Sequence, residues 1–366
     1  MFPSLSFSTS QQVVNRPYQE TSSRVSGSEI ISSNSKTSYN GNYGLNASWT
    51  LYNGNKRLKT IQQEKLNNQV AELDVATSEN NIQESIAQVY IQILYAAESV
   101  KVNESTLQVS IAQRDRGQEL LNAGSIAKSD FAQLEAQVST DRYQLVTAQA
   151  TLEDYKLQLK QLLELDGENE MNIYLPALSD ENVLAPLPTK KDVYISALSL
   201  RPEIEASKLN VEASELGIGI AKSSYLPTIS LSAGIGTNHT SGSDFTFGEQ
   251  VKNGWNNSIG LSVSVPIFNN RQTKSAVQKA KLQYETSMLS LLDEQKTLYK
   301  TIEGLWLDAN SAQQRYAAAN EKLKSTQISY ELISEQFNLG MKNTIELLTE
   351  KNNLLQAQQE QLQAKY

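Results

Sequence analysis

Between residues 259 and 267 every odd position is apolar: Ile259, Leu261, Val263, Val265 and Ile267. The positions between them, with Ser258 before, include Gly260, Ser262 and Ser264, all small or polar. The same period of two runs through Tyr43, Leu45, Ala47, Trp49 and Leu51, and through Ile229, Leu231, Ala233 and Ile235. Such alternation predicts strands with one apolar and one wet face. A half-buried sheet in water and a barrel strand between lipid and a water-filled lumen share this pattern. The stretches 9–38 and 238–253, crowded with Ser, Asn, Gln and Gly, read as exposed hairpin loops.

After Asn53-Gly54 and after Asn269-Asn270 the period changes. A helical pattern follows over about 69 residues, roughly 100 Å at the α-helical rise, too long for a globular helix. Its seam in the second half of the chain runs Tyr284, Met288, Leu291, Gln295, Leu298, Ile302, Leu305, Ala309, Ala312, Tyr316, Ala319, Leu323, Thr326, Tyr330, Ile333 and Phe337. Steps of four and three alternate along it, the spacing of a coiled coil, with Gln295 and Thr326 as polar exceptions. In the first half, Ile82, Ile86, Val89, Ile93, Ala96 and Val100 carry the clearest part. Gly124 and Gly340 end the two patterns, and fresh helical patterns follow. Each glycine predicts the tip of an antiparallel helical hairpin, where the backbone angle reverses.

The chain is therefore two tandem repeats. Gly44 to Asn53 aligns with Gly260 to Asn269, and Asn122-Ala123-Gly124-Ser125 with Asn338-Leu339-Gly340-Met341, both at an offset of 216 residues. Repeat one covers 1–165, with a β-hairpin at 2–52 and a helical hairpin at 54–165 whose tip is 122–128. Repeat two covers 201–366, with a helix at 203–225, a β-hairpin at 226–268 and a helical hairpin at 270–366 whose tip is 338–344. Between them, 166–200 reads as an equatorial segment outside the helices, since Gly167, Pro176, Pro186 and Pro188 break the returning helix partway. Repeat one lacks the opening helix of repeat two, and repeat two stops at Tyr366, the partner of Ala150. The expectation is a chain cropped at both ends, consistent with a start at Met1-Phe2-Pro3-Ser4 that has no basic and apolar signal regions.

Composition narrows the chemistry. A net charge of -8 argues against nucleic acid as a partner. With no Cys and one His, thiol chemistry and most zinc sites are excluded. His239 stands in the Ser/Gly-rich stretch 238–243 and reads as a loop residue. No apolar run approaches the roughly 18 to 20 residues of a membrane helix, so any membrane crossing must use strands.

Order and spacing, more than any single motif, resemble the TolC-type outer-membrane factors, the outer membrane efflux proteins. The residues that carry this are Phe2-Pro3-Ser4-Leu5-Ser6-Phe7 and Leu226-Pro227-Thr228-Ile229-Ser230-Leu231, Val265-Pro266-Ile267-Phe268-Asn269 and Thr50-Leu51-Tyr52-Asn53-Gly54, Arg201-Pro202-Glu203, and the two glycine tips. The resemblance implies an α+β membrane protein. Its β-hairpins and long coiled-coil α-hairpins would form, as a homotrimer, a twelve-stranded β-barrel in the bacterial outer membrane and an α-helical tunnel through the periplasm. It implies a passive exit duct of a tripartite efflux or type I secretion system. The partners would be a periplasmic membrane-fusion (adaptor) protein, an inner-membrane pump of RND or ABC type, and outer-membrane lipid. No catalysis, cofactor or metal is implied.

Gly124 and Gly340 would then dock the adaptor. Asp130, Phe337, Lys342 and Glu346 would be gate residues. Asp130 and Lys342 match linking positions between protomers and Glu346 a carboxylate of an acidic ring, with Thr349 where the second ring carboxylate is expected. Solvated helix-end charges are the competing reading. The alternative function is a soluble or periplasmic coiled-coil adaptor or scaffold, which leaves four alternating strands unexplained. An enzyme is weaker still, because Gly217-Ile218-Gly219 and Gly234-Ile235-Gly236 lack a dinucleotide fingerprint's third glycine and the carboxylates read as lying on solvated helix faces.

Overall fold

The structure is a computed structural model that describes residues 3–18, 22–26, 29–33, 36–165, 173–174, 176, 183–243 and 245–366. In chain order its elements are β1 (Ser4–Asn15), β2 (Ser22–Ser26), β3 (Glu29–Ser33), β4 (Thr37–Asn53), α1 (Lys56–Asn122) and α2 (Lys128–Leu162). Then come α3 (Lys190–Leu200), α4 (Pro202–Ser223), β5 (Thr228–Thr240), α5 (Phe247–Asn253), β6 (Asn256–Ser264), α6 (Gln272–Asn338) and α7 (Thr344–Lys365). They divide into two compact units that cut across both repeats, residues 1–70 with 207–291 and residues 71–206 with 292–366. Most of the stretch 166–182, including Gly167, lies outside the described residues.

The first unit is built on one antiparallel sheet in the order β1-β4-β5-β6. Leu45 faces Phe7 on one side and Ile235 on the other, and Leu231 faces Trp49 and Leu261, so the odd positions of all four strands share a face. That face is bare. Leu5, Phe7 and Leu261 are exposed, and Ile259 keeps 84% of its surface. One register shift alters the expected alternation. A bulge between Thr50 and Tyr52 takes Leu51 out of pairing and sets Tyr52 opposite Ile229, so Tyr52 joins the apolar face. β6 stops at Ser264, before Val265 and Ile267, because Pro266 has no N–H to continue the ladder.

Two stretches expected to be loops are more ordered. β1 runs on to Asn15, β4 starts at Thr37, and β2 and β3 pair between them; residues 19–21, 27–28 and 34–35 lie outside the described residues. Ser, Asn and Gln fill a solvated strand as readily as a loop, so composition alone gave no boundary there. The second stretch holds α5, opened by a reciprocal cap in which Thr246 N donates to Glu249 Oε2 (2.8 Å) and Glu249 N to Thr246 Oγ1 (3.4 Å). His239 is corrected from loop to strand, since β5 continues to Thr240 and His239 pairs with Gly41. β4 passes to α1 through Gly54 at φ 66°, where a Cβ would meet Ser223 O at 2.7 Å.

The second unit is helical. Ile93, Leu134, Tyr316 and Leu347 are among its fully buried side chains. The run 183–188 is strapped to α6 through its own carbonyls: Gln313 Nε2 donates to Ala185 O (2.7 Å) and Trp306 Nε1 to Pro188 O (3.0 Å). Lys190, in the first turn of α3, reaches Glu303 at 3.1 Å and lies 4.8 Å from the Trp306 ring centroid. Side chains of α6 thus satisfy backbone groups that irregular chain would leave unpaired.

Candidate functional site

Gly124 and Gly340 both adopt the left-handed conformation, at φ 72° and 73°. The helices end in the same paired closure. Ser125 N donates to Leu120 O (2.8 Å) and Gly124 N to Leu121 O (2.9 Å); Met341 N donates to Gln336 O (2.8 Å) and Gly340 N to Phe337 O (2.9 Å). These bonds satisfy terminal carbonyls that the helix leaves orphaned, and glycine makes them without a Cβ penalty. No atom lies within 4 Å of where a Cβ would stand at either glycine, so both tips have open space around them.

The chain restarts differently after each tip. Asn343 caps α7: its Oδ1 accepts from Glu346 N (2.8 Å), and Glu346 Oε2 accepts from Asn343 N (3.2 Å). Lys342 Nζ lies 2.5 Å from Glu346 Oε1. The Lys342 ammonium, with the Asn343 N–H, holds the Glu346 carboxyl below the usual glutamate range. At the first tip Ala127 occupies the capping position, so only half of the reciprocal cap forms, with Asp130 Oδ2 accepting from Ala127 N at 3.4 Å. Asp130 and Lys342 thus each have a partner within the protomer. Phe337 keeps 2% of its surface and packs inside the second tip, so its ring is not available to line a passage. The exposed apolar residues there are Leu339, Met341 and Ile345, which stand outside the heptad seam that drew the reading to Phe337.

Behind the tips sits a buried polar cluster that pattern reading missed. Asp141 of α2 and Lys351 of α7 keep 1% and 3% of their side-chain surface and form an ion pair. Ser110 of α1 hydrogen-bonds both partners through Asp141 Oδ2 and Lys351 Nζ, and Gln137 Nε2 donates to Asp141 Oδ1 at 2.9 Å. Burial pushes the Lys351 ammonium below the usual lysine value, against the opposing pull of Asp141. This corrects the reading that the carboxylates lie on solvated faces. The signal was present: Leu134, Val138 and Asp141, and Leu347, Lys351 and Leu355, follow helical spacing, so each charge occupies a position in an apolar stripe. Two hydrogen bonds also join α1 to α6, from Gln113 Nε2 to the Tyr330 hydroxyl (2.7 Å) and from Arg116 Nη2 to Asn338 O (3.4 Å). Among the described residues no cluster of metal-ligating side chains occurs, and no helix is long and apolar enough to cross a membrane.

One chain thus combines a four-stranded antiparallel sheet, bare on its apolar face, with two 67-residue helices. The profile of the outer membrane efflux protein family matches residues 1–164 and 193–366. This chain belongs to that family, whose TolC-type members are non-enzymatic channels of the bacterial outer membrane. It is 24% identical over 290 residues to the outer membrane efflux protein BepC of Brucella suis, covering 79% of this chain and 60% of that one. It is 23% identical over 306 residues to the outer membrane protein TolC of Escherichia coli, covering 81% and 61%. The chain thus spans about three fifths of the length of these curated relatives. Its fold matches the crystal structure of the transmembrane channel CusC with a TM-score of 0.78 at 20% identity, over 100% of this chain and 80% of that one. VceC of Vibrio cholerae matches with a TM-score of 0.75 at 16% identity, over 99% and 83%.

Proposed function

We propose that this chain is a protomer of a homotrimeric outer-membrane exit duct, a passive conduit that receives substrates from a periplasmic adaptor and an inner-membrane pump of RND or ABC type. The observation that carries this is the sheet itself. β1 and β6 form its edges, with no further strand paired to them among the described residues, and its odd face is apolar and uncovered. In lipid every backbone donor and acceptor must be satisfied, so open edges are untenable. Pairing β6 of one copy with β1 of the next closes three such sheets into a twelve-stranded barrel. The coil seam supports the same reading, because Met288 and Leu305 remain exposed in the single chain, where neighbouring protomers would cover them. The glycine tips, open to the surroundings, are the adaptor-docking ends in this scheme. Asp130, Lys342 and Glu346 are its gate charges.

The test compares two arginine substitutions on adjacent positions of β6. Val263 is on the apolar face and Ser262 on the other, its hydroxyl directed to Ser230 O at 3.4 Å. Val263→Arg puts a charge against lipid at a cost of about 2 to 4 kcal/mol and is expected to abolish heat-resistant trimer. Ser262→Arg faces water and leaves the trimer yield near wild type. Equal yields from the two variants would overturn the lipid-facing assignment.

A further inference from the structure

The hairpin between β5 and β6 does not project away from the sheet. It folds back over the end of β5 on the apolar face. Thr237 Oγ1 donates to Val251 O (2.7 Å), and Thr240 N to Gln250 Oε1 (2.8 Å). The Phe247 ring of α5 meets His239 edge-on at 5.2 Å and Tyr43 at 6.5 Å between centroids. His239 and Tyr43 also stack on each other, and Gly41, buried opposite His239, leaves room for the imidazole because it has no Cβ. Tyr43 and His239 belong to the same odd series as Leu45 and Ile235, so α5 lies on the continuation of the apolar strand face.

The exposed residues of α5 are Phe247, Gly248, Glu249, Lys252 and Asn253, and aromatic side chains flank the helix on both sides. Phe247 and Trp255 keep 56% and 57% of their surface, and Phe245 and Tyr39 are exposed beside them. Pairing fixes their level on the sheet. Tyr43 faces Thr237, and Asn256 faces Gly236, which puts Trp255 level with that row. At the opposite end of the face a second aromatic group stands by the helices: Tyr52, opposite Ile229, with Tyr225 and Phe268, all exposed. Thr237 to Ile229 is eight residues along β5, about 27 Å of strand, or about 20 Å along the barrel axis at a tilt of 35 to 45°. An outer-membrane barrel carries an apolar band of about 25 Å edged by aromatic girdles, so the two groups stand near its rims.

We propose that α5 is a membrane-interface helix, folded onto the barrel wall so that Phe247 and Trp255 enter the headgroup and upper acyl region at the outer edge of the bilayer. The inference rests on the lipid-facing assignment of the strands under Proposed function. The occupant is lipid and not a protein partner, because the surface runs without a break into the bare strand face and ends at the height a bilayer rim requires. Amphipathic rings suit this boundary, where one end is apolar and the other wet.

The three tryptophans of the chain supply the test, since Trp49 lies mid-strand on the apolar face, Trp255 at its outer end and Trp306 on α6 in the helical unit. Three variants of the full chain, each keeping one tryptophan with the other two changed to Phe, are reconstituted as heat-resistant trimers in phosphatidylcholine vesicles. The lipid carries bromine either near the glycerol end or near the methyl end of its chains. Trp255 is expected to lose more emission to the shallow bromines, Trp49 more to the deep ones, and Trp306 little to either. Quenching of Trp49 with none of Trp255 overturns the interface helix and leaves the barrel assignment standing. If that unquenched Trp255 is also blue-shifted, protein and not lipid covers it. Absence of quenching at both positions overturns the lipid-facing reading together with this one.

Discussion

Replacing Lys351 by Met keeps the length of the side chain and removes its charge, leaving Asp141 ionised at 1% exposure among neutral donors. Ser110 and Gln137 still donate to the carboxylate. Hydrogen bonds from two neutral donors do not replace a buried counter-ion, and breaking such a pair costs about 3 to 5 kcal/mol. Changing both members, with Asp141→Leu, removes the stranded charge. The Ser110 hydroxyl then loses both partners, about 1 to 3 kcal/mol, which offsets the about 1 to 4 kcal/mol that apolar replacement of a buried pair yields. The double variant is expected to sit near wild type, and the cycle to be far from additive.

Hydrogen exchange of the detergent-solubilised trimer reads this locally. Amides of 105–115, 134–145 and 347–356 should exchange about 150- to 5,000-fold faster in Lys351→Met, with β5 unchanged, and recover in the double variant. Exchange within about threefold of wild type in both single variants, or additive single and double effects, would refute a stability-bearing ion pair.

Gly340→Trp enters open space at a backbone angle that costs a side chain about 1 to 2 kcal/mol, so trimer yield should hold while export is lost; normal export at wild-type expression refutes tip docking. Lys342→Ala frees Glu346 and removes any link from Lys342 to Asp130 of another protomer. It should raise single-channel conductance or opening frequency in planar bilayers, and unchanged channels remove Lys342 from gating. Glu346→Gln should weaken block by multivalent cations, and unaltered block counts against an acidic ring. Because the Glu346 carboxyl is held below its ordinary range, the tip order it supports is complete above about pH 4.3 and is lost as pH falls through its lower folded value. Glu346→Gln should abolish that acid loss of exchange protection at 341–348, and its persistence in the variant refutes the assignment.

The parts of the fold that were legible in sequence are those with one period and one environment. Strand alternation around Leu45, Leu231 and Leu261 could be read because each strand has a single apolar face, and the helical seam because a 3.5-residue spacing over some 50 residues has no other cause. What failed did so at polar strand ends. Residues 9–15 and 37–42 pair in the ladder, yet their Ser, Asn and Gln are equally suited to a loop, and nothing in propensity separates a solvated strand from a solvated turn. The bulge at Leu51 was likewise invisible, since one extra residue in a strand changes register without changing composition.

At the tips the sequence marked the turns, and the burial of Phe337 was the part it did not use. Gly124 and Gly340 are explained by backbone geometry alone, which a single residue type reveals. Phe337 drew a gate role from its place at the second tip, whereas its position on the heptad seam fits the burial found. Asp141 and Lys351 show the limit of a pattern that counts charges as outside. Each interrupts an apolar stripe, and a stripe interrupted once on α2 and once on α7 by opposite charges is a pairing signal that only the fold can join, across 210 residues of sequence. Hydrophobic contacts alone permit neighbouring long helices to slide by a turn, because Leu and Ile offer similar holes at every heptad. A single buried ion pair does not permit this, since a shift of one turn, about 5.4 Å, leaves both charges unpaired in the interior. On this reasoning the cluster of Ser110, Asp141 and Lys351 sets the register of α7 against α1 and α2. The Lys351→Met/Asp141→Leu pair then separates stability from register: it should restore exchange protection while broadening spin-label distance distributions measured between residues 116 and 346 in the trimer. Distances as narrow as in wild type would assign the pair to stability alone.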